Sequence, residues 1–592
     1  MSDYRFDIDD AIALPTAWRP IDRAVHRWVL AHGGSDLLAR TAGWASAAHG
    51  DGHTALPLRD AHAIDPGMTA WNADEIAALR VEAMVATGDD GDVRPFVLDA
   101  DDRFYLWRNR RDESRAIDAL RERREAVQPG TIDAAFLDAL FAGDDDATVA
   151  RQRAAVRQVV GKRLFVLTGG PGTGKSTTVL RMLLMLQRCA GKPLTIAAAA
   201  PTGKAAQRLT QAMRTGVADL REHARIASSP EWRATLDCVP ASAVTLHRLL
   251  GMTGDAGRFR HDAAHRLDAD VVVVDEASML DLSLLCALLA ALRNDAIVIF
   301  VGDADQLASV GAGAVLTDLV AVLESDVRGD LVRLHHVFRA QQPLAAIHEC
   351  VRGGDAAAFA AALGTAGDVV AHYRIADVPS LAAPVQAWSD WLAIAGPPPR
   401  LSGDPVGDAG VARGALQELS RRQLLCALRE GPFGALAVAA RIERHLRRRW
   451  GQDDDTPWYH GRPILVTRND YRNALFNGDV GLCLQDPNGT RRVWFESSDA
   501  GGVRAVTIEQ LPPHDSALAI TVHKSQGSEY EHVAVLLPPA AEHAILSRAL
   551  LYTALSRAKK SVELWCNDDA LAAALAGSVE RTGGLAARLR AR

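Results

Sequence analysis

Long apolar runs are missing from this chain. No stretch of about 18 uncharged apolar residues, the length that crosses a bilayer, occurs in it, because Arg, Asp or Lys interrupts every candidate. The N-terminal sequence MSDYRFDIDD is acidic and polar rather than leader-like. Both absences lead to the expectation of a cytoplasmic protein with no membrane partner. Cysteine is scarce: Cys189, Cys238, Cys286, Cys350, Cys426, Cys483 and Cys566 are scattered with no C-x-x-C pair. That excludes a zinc ribbon, an iron–sulfur cluster and a disulfide framework, and reads as reduced thiols, mostly in the core. A basic excess is lacking too. The formal charge of −7 argues against a uniformly cationic nucleic-acid coat, although a local groove can be cationic beneath acidic outer faces.

What is present is 592 residues, 48% of them apolar, enough for about three to four domains with several cores. Residues 1–140 have helical periodicity over 74–86 and 111–127 and carry no chemical motif, so a small helical N-terminal domain is expected. From Asp146 onward continuous apolar runs alternate with helical segments: LFVLTGG from Leu164, LTIAAAA (194–200), VVVVD (271–275) and IVIFVGD (297–303). Strands buried on both faces of a parallel sheet are written this way, which predicts a nucleotide-binding α/β domain over 146–340. Residues 341–592 open with Ala-rich helices and a Pro/Gly-rich stretch (396–405), followed by PILVT, DVGLCL, RRVWFE, VRAVTI, LAITV and VAVLLP. The short, turn-punctuated pieces between 479 and 511 predict a small β-barrel-like insertion in a second α/β domain.

The segment Gly169-Gly170-Pro171-Gly172-Thr173-Gly174-Lys175-Ser176, continued by Thr177, fits G-x-x-x-x-G-K-[ST] and directly follows an apolar strand. Glycines let successive backbone N–H groups turn toward one anion, Lys175 reaches the outer phosphates, and the Ser176 hydroxyl can ligate Mg²⁺. ATP and Mg²⁺ are therefore the expected cofactors. Four valines run into Asp275 and Glu276, placing two carboxylates at the C-terminal end of a buried strand. Asp275 would hold Mg²⁺ and Glu276 would polarise the attacking water; taken alone, such a pair is as often a helix N-cap. Gln306, after the next apolar strand, is placed to sense the γ-phosphate or merely to satisfy a turn. Arg339 and Arg557 are candidate cationic fingers, though a single arginine is usually a solvated surface residue. The segment GRFRHDAAHRL (257–267) reads as a β-hairpin, either one that splits a duplex or a plain surface turn.

In order, GGPGTGKST, APTGKAAQRL (200–209), TLHRLLG (245–251), VVDEASM (273–279), GDADQLASV (302–310), VFR (337–339), TVHKSQGSEY (521–530) and LYTALSRAKK (551–560) resemble the motifs of superfamily 1 helicases. Within them the chain resembles the RecD family, the α subunits of RecBCD (exonuclease V) complexes; LLCALREGPFGALAVAARIE (424–443) and VTRNDYRNALFNGDVG (466–481) strengthen that likeness. The resemblance implies two RecA-like domains clamping ATP and an ATP-driven DNA helicase of 5′ to 3′ polarity that processes DNA ends for recombinational repair. It also implies RecB-like and RecC-like partners in a heterotrimer, with the N-terminal domain docking on another subunit. Gln152 matches the glutamine that reads adenine, and Lys175, Ser176, Asp275, Glu276, Gln306, Arg339 and Arg557 match ATPase positions. Thr202, Gly203, Lys204, Thr245, His247, Thr521, His523 and Ser525 match positions that touch the tracking strand or relay its presence. Ordinary caps and core hydroxyls are the alternative for that Thr/His set, and Lys524, Arg468 and Arg472 are further candidates for local positive potential. No segment carries the clustered acids and lysine of a nuclease, so cutting is expected of a partner. Two alternatives remain: a stand-alone RecD-like helicase and a nucleotide-switched scaffold.

Overall fold

The structure is a computed structural model. It describes residues 15–590 other than 66, 89–92, 127–129, 223–229, 254–257, 339–341, 395, 453–455, 471, 498–501 and 579–580. Its frame is two parallel sheets. The first has the strand order Leu331–Leu334, Leu164–Gly169, Ile297–Gly302, Val271–Val274, Ile196–Ala200, Val244–Thr245. Val271 pairs with both Ile297 and Ile196, all in parallel register. Alternation along the strands divides the core in two. Val166, Val272, Val274, Val298 and Phe300 face one layer of helices; Phe165, Leu167, Val271, Val273, Ile299 and Val301 face the other. Both faces are therefore dry, which is why these strands are uninterrupted β-branched and aromatic runs.

The second sheet runs Val370–Tyr373, Ala558–Trp565, Tyr530–Leu536, Arg422–Cys426, Ala519–Thr521, again parallel. Its faces are likewise covered, Leu425, Val533, Val535 and Leu564 on one side and Leu424, Ala534, Leu536 and Trp565 on the other. Into this domain is inserted a five-stranded antiparallel sheet: Val503–Thr507, Arg491–Glu496, Val480–Gln485, Pro463–Val466, His514–Ser516. The insertion thus exceeds the expected 479–511 at both ends. PILVT belongs to it, because a short apolar run does not by itself distinguish a parallel from an antiparallel strand.

The N-terminal domain holds the expected helices, including Pro20–Ala31, Asp36–Gly50 and Ala73–Arg80, but also a four-stranded sheet. Its order is Leu56–Pro57, Arg103–Leu106, Phe96–Leu98, Val85–Ala86. These strands are two to four residues long, too short to leave a period-two signature in sequence. The helix Trp107–Glu125 buries Ala116, Ile117 and Leu120 in the same core layer as Leu285 and Phe300. The first RecA-like domain accordingly takes up this helix, well before residue 146. The chain's end also departs from the expected boundaries: the helix Leu585–Arg590 leaves the second domain and seats Leu585 and Leu589 in that first-domain layer.

Candidate active site

The strand Leu164–Gly169 delivers the chain to the phosphate loop, and the helix Lys175–Ala190 leaves it. Gly172 and Gly174 have φ of 75° and 81°, left-handed values that spare an L-residue's Cβ penalty only at glycine. A Cβ on Gly174 would lie 2.4 Å from Gln152 Nε2. Gln152 is buried and donates to the Thr173 carbonyl at 3.2 Å, so it buttresses the loop from behind. Lys175 Nζ donates to the carbonyls of Gly169 (2.7 Å) and Gly170 (2.9 Å), and Thr173 Oγ1 to Gly170 O (2.8 Å). The helix N-terminus contributes unpaired N–H groups and a partial positive charge to the same point.

Asp275 and Glu276 follow the strand Val271–Val274. Burial, with the neighbouring Glu276 charge, pushes the Asp275 carboxyl up to about 6. Glu276 adopts φ 51°, ψ 41°, an uncommon left-handed conformation for a residue with a side chain and of the kind stored at functional sites. Gln306 is 5% exposed; its Nε2 donates to Asp303 Oδ2 at 3.0 Å, and its Oε1 is buried with no hydrogen-bond partner among the described residues. An acceptor left in that state costs free energy unless a ligand or water completes it.

The second domain meets these groups directly. Tyr552 OH donates to Asp303 Oδ2 (3.0 Å), Leu307 N to Thr553 Oγ1 (2.8 Å), and Gln526 Nε2 to Leu307 O (2.9 Å). Arg557 is 2% exposed and donates from Nε to Thr553 O (3.1 Å) and from Nη1 to Ser528 O (3.2 Å). Sequence reasoning missed one element. Arg208, on the helix Gly203–Glu222, pairs with Glu529 across the domain boundary at 2.7 Å, and Lys559 Nζ approaches the same carboxylate at 3.1 Å. Burial opposes ionisation of Glu529, but the Arg208 and Lys559 cations outweigh it and hold the acid at about 2. The signal was the arginine inside APTGKAAQRL and the glutamate inside TVHKSQGSEY, with nothing local to pair them.

These elements enclose a cavity of about 430 Å³ lined by Gly172, Gly174, Lys175, Ser176, Thr177, Asp275, Glu276 and Gln306 from the first domain and by Glu529 and Arg557 from the second, with Arg208 between. Gln152 is not among its lining residues. Arg339 lies outside the described residues. Its neighbour Phe338 donates from its backbone N to Gly172 O at 2.9 Å, is 47% exposed and meets the His336 ring edge-on at 4.6 Å between centroids.

Two family models match: the AAA domain over residues 152–312 and the UvrD-like helicase C-terminal domain over 516–564. RecBCD enzyme subunit RecD of Mycobacterium tuberculosis is 39% identical over 87% of this chain and 84% of its own length. The corresponding subunit of Mycolicibacterium smegmatis is 40% identical over 74% of each chain. This chain belongs to the RecD family. The ATP-dependent RecD2 DNA helicase of Deinococcus radiodurans is 32% identical over 71% of this RecD-family chain and half of its own length.

The positions matched to strand contacts fall into two groups. Gly203 opens the helix that carries Arg208, and a Cβ there would meet Phe476 Cβ of the insertion at 2.8 Å. Lys204 Nζ lies 6.0 Å over the Tyr530 ring and shares a second cavity, of about 230 Å³, with Asp479, Arg208 and Glu529. Burial pushes Asp479 up to about 6 against the opposing Lys204 charge. Thr202, Thr245 and Thr521 are only partly buried, yet their hydroxyls accept from Ala205 N, Arg248 N and Lys524 N. His247 packs beside Phe259, and His523 is held below its ordinary pKa by burial and by Arg581. Lys524 is paired with Asp515 at 2.9 Å; Arg468 and Arg472 are exposed. Ser525 is fully enclosed and donates to Val522 O at 2.7 Å, so its hydroxyl closes a turn, a placement suited to relaying strand contact rather than to making it. The hairpin pairs Met252–Thr253 with Arg258–Phe259, beginning upstream of the expected 257–267; its tip, 254–257, lies outside the described residues.

Proposed function

We propose that this chain is an ATP-hydrolysing DNA helicase that moves 5′ to 3′ along one strand. We further propose that it works in the cytoplasm with RecB-like and RecC-like subunits on double-strand DNA ends, cutting being left to a partner. The observation that carries the reading is the cavity itself, which joins phosphate loop, carboxylates and Gln306 from one domain with a buried arginine from the other. A nucleotide held there bears on both domains at once. Membership in the RecD family, with 84% of the M. tuberculosis subunit covered, supports the subunit assignment. No described helix is long and apolar enough to cross a membrane.

Ser176 and Asp275 are the residues that would hold Mg²⁺. They fit it: a hydroxyl and a carboxylate whose ionised form is disfavoured by burial beside Glu276 are the donor set that a divalent cation stabilises. Bound there, Mg²⁺ neutralises charge on the phosphate oxygens. The chain's own groups do the rest. Lys175 exchanges its loop carbonyls for phosphate oxygens, a charge-assisted contact. Gln306, which lines the cavity and whose buried Oε1 has no partner among the described residues, turns that oxygen to accept a hydrogen bond from the attacking water, and Glu276 takes its proton. ATP binding draws the domains together and sets Arg557 and Arg339 beside the γ-phosphate, whose charge they neutralise as it leaves, and hydrolysis lets the domains part. Phe338 offers an exposed ring for the base, and Gln152 contributes by fixing the loop. Thr202, Gly203, Lys204, Thr245, His247, Thr521 and His523 grip the strand through phosphates rather than base edges, as sequence-independent stepping requires.

Strand displacement by the purified chain on 5′-tailed and 3′-tailed duplexes tests the reading. Displacement from the 5′-tailed substrate alone is expected. Displacement from the 3′-tailed substrate alone overturns the polarity, and failure on both, alone and with partner subunits, overturns the helicase.

A further inference from the structure

The residues beyond the second RecA-like sheet return to the first domain, and the first side chain of that return, Arg581, enters the loop that continues from Gln306. Arg581 Nη1 donates to Gly311 O (2.6 Å) and Gly313 O (3.0 Å), and Nη2 donates to Ser309 O. The guanidinium makes no salt bridge among the described residues; its donors go to three backbone carbonyls and, at 3.4 Å, to Ser309 Oγ, a use for which a rigid planar fork suits better than an ammonium. The N-terminal domain closes the other side. Gly52, at φ +94°, would place a Cβ 2.5 Å from Arg581 Cζ, and its carbonyl accepts from Gly313 N at 2.8 Å. Next in chain, Thr582 N donates to His53 Nδ1 at 2.9 Å, and Thr582 O accepts from Thr54 N at 2.9 Å.

Two distant parts of the chain, residues 52–54 and 581–582, therefore meet on residues 309–313, and that loop has two functional ends. Upstream, Gln306 lines the ATP cavity and Leu307 is bonded to Thr553 and Gln526 of the second domain. At its tip Val310 is 81% exposed, and Gln526, which donates its side-chain amide to Leu307 O, donates its backbone N–H at 3.3 Å to the carbonyl of His523, a candidate strand contact. We propose that Arg581 is a positioning residue, which holds the 309–313 loop rigid so that events at Gln306 are passed to the strand groove instead of being lost in loop motion. The physical warrant is a loop anchored at both ends, in which Ser309 Oγ closes the turn onto Gly311 O and Gly313 O and Arg581 ties the same two carbonyls and Ser309 O to the returning chain; a coupling element of that kind has to be stiff to be useful.

The inference rests on the helicase reading, and its test separates the two. Arg581→Gln removes charge and most donors, Arg581→Lys keeps the charge without the fork, and Gly52→Ala displaces the same guanidinium from the N-terminal domain. In the full-length chain, amide exchange over 309–313 and ATP consumed per strand displaced are measured for each, with melting temperature alongside. Expected is faster exchange confined to 309–313 and about a tenfold rise in ATP per strand displaced for Arg581→Gln. Arg581→Lys should rescue little, and Gly52→Ala should change both quantities in the same direction. An unchanged ratio in folded variants, or full rescue by lysine, overturns the proposal even where melting temperature falls. Should Arg581→Gln fail to fold, Arg581→Lys and Gly52→Ala decide on the same two readouts. Wild-type chain that hydrolyses ATP without displacing strands would instead count against the helicase reading, and the exchange measurement on 309–313 stands independently of it.

Discussion

Lys175 and Arg557 are unequal partners in the ATP site. Lys175 serves binding and hydrolysis, so Lys175→Gln is expected to lower ATP turnover by about 10² or more with an unchanged circular dichroism spectrum. Arg557→Ala is expected to leave ATP affinity within a few-fold while slowing hydrolysis by about 10³ to 10⁵. A small loss of stability should accompany it, since two carbonyls lose their buried donor. Stopped-flow binding and steady-state turnover distinguish the two variants; equal kinetics to wild type would make Arg557 structural. Lys175, Ser176, Asp275 and Glu276 were legible in sequence because a strand end and a glycine-rich turn are local devices that write themselves in consecutive residues. Which of its two expected roles Ser525 takes was not legible, for the complementary reason. Whether a hydroxyl faces a groove or closes a turn is decided by burial, which one sequence does not display. Arg208, Glu529 and Tyr552 went unnoticed as a set, since their partners lie hundreds of positions away.

Among the elements, the cross-domain clasp of Arg208, Glu529 and Lys559 is the contact most exposed to a simple test. The Arg208 side chain is 39% accessible, so solvent screening limits the pair to about 1 kcal/mol. Glu529→Gln should then raise the KM for ATP roughly fivefold, with added salt producing the same trend in the wild type. A KM indifferent to both would show that the clasp is incidental. The helix Val315–Leu323 offers a pH test. Burial, with the nearby Glu113 charge, pushes Asp318 up to about 7. A raised carboxyl pKa means that the folded chain holds a proton the unfolded chain has released, so the residue's cost to stability grows from about pH 4 to 7 and then levels. Asp318→Asn should raise the melting temperature by an amount that increases over that window. A constant gain would place Asp318 in ordinary solvent. Element type was readable wherever a run was long and strongly periodic, as in the strand Ile297–Gly302. The strands of the N-terminal domain were too short to register, and the helix Trp107–Glu125 was seen but assigned to the wrong core, because periodicity reports that a face is buried and not against what.

For the whole molecule, the sequence pattern was sufficient to expect two parallel α/β units and an inserted β element, since each is built from near-continuous local signals. The return of Leu585–Arg590 to the first domain left no such trace, because a contact between the helix and a core built from residues hundreds of positions earlier depends on topology alone. What the assembled molecule adds is a cavity that neither domain completes: carboxylate, amide and cationic groups from both domains converge where the loop Gly169–Ser176 can hold a triphosphate. The most direct test is the steady-state ATP hydrolysis rate of the purified chain, titrated with single-stranded DNA. A twin-domain motor predicts slow turnover without DNA, a saturable rise of at least tenfold with it, and loss of both in Glu276→Gln. Turnover that ignores DNA, or that survives Glu276→Gln, would contradict it.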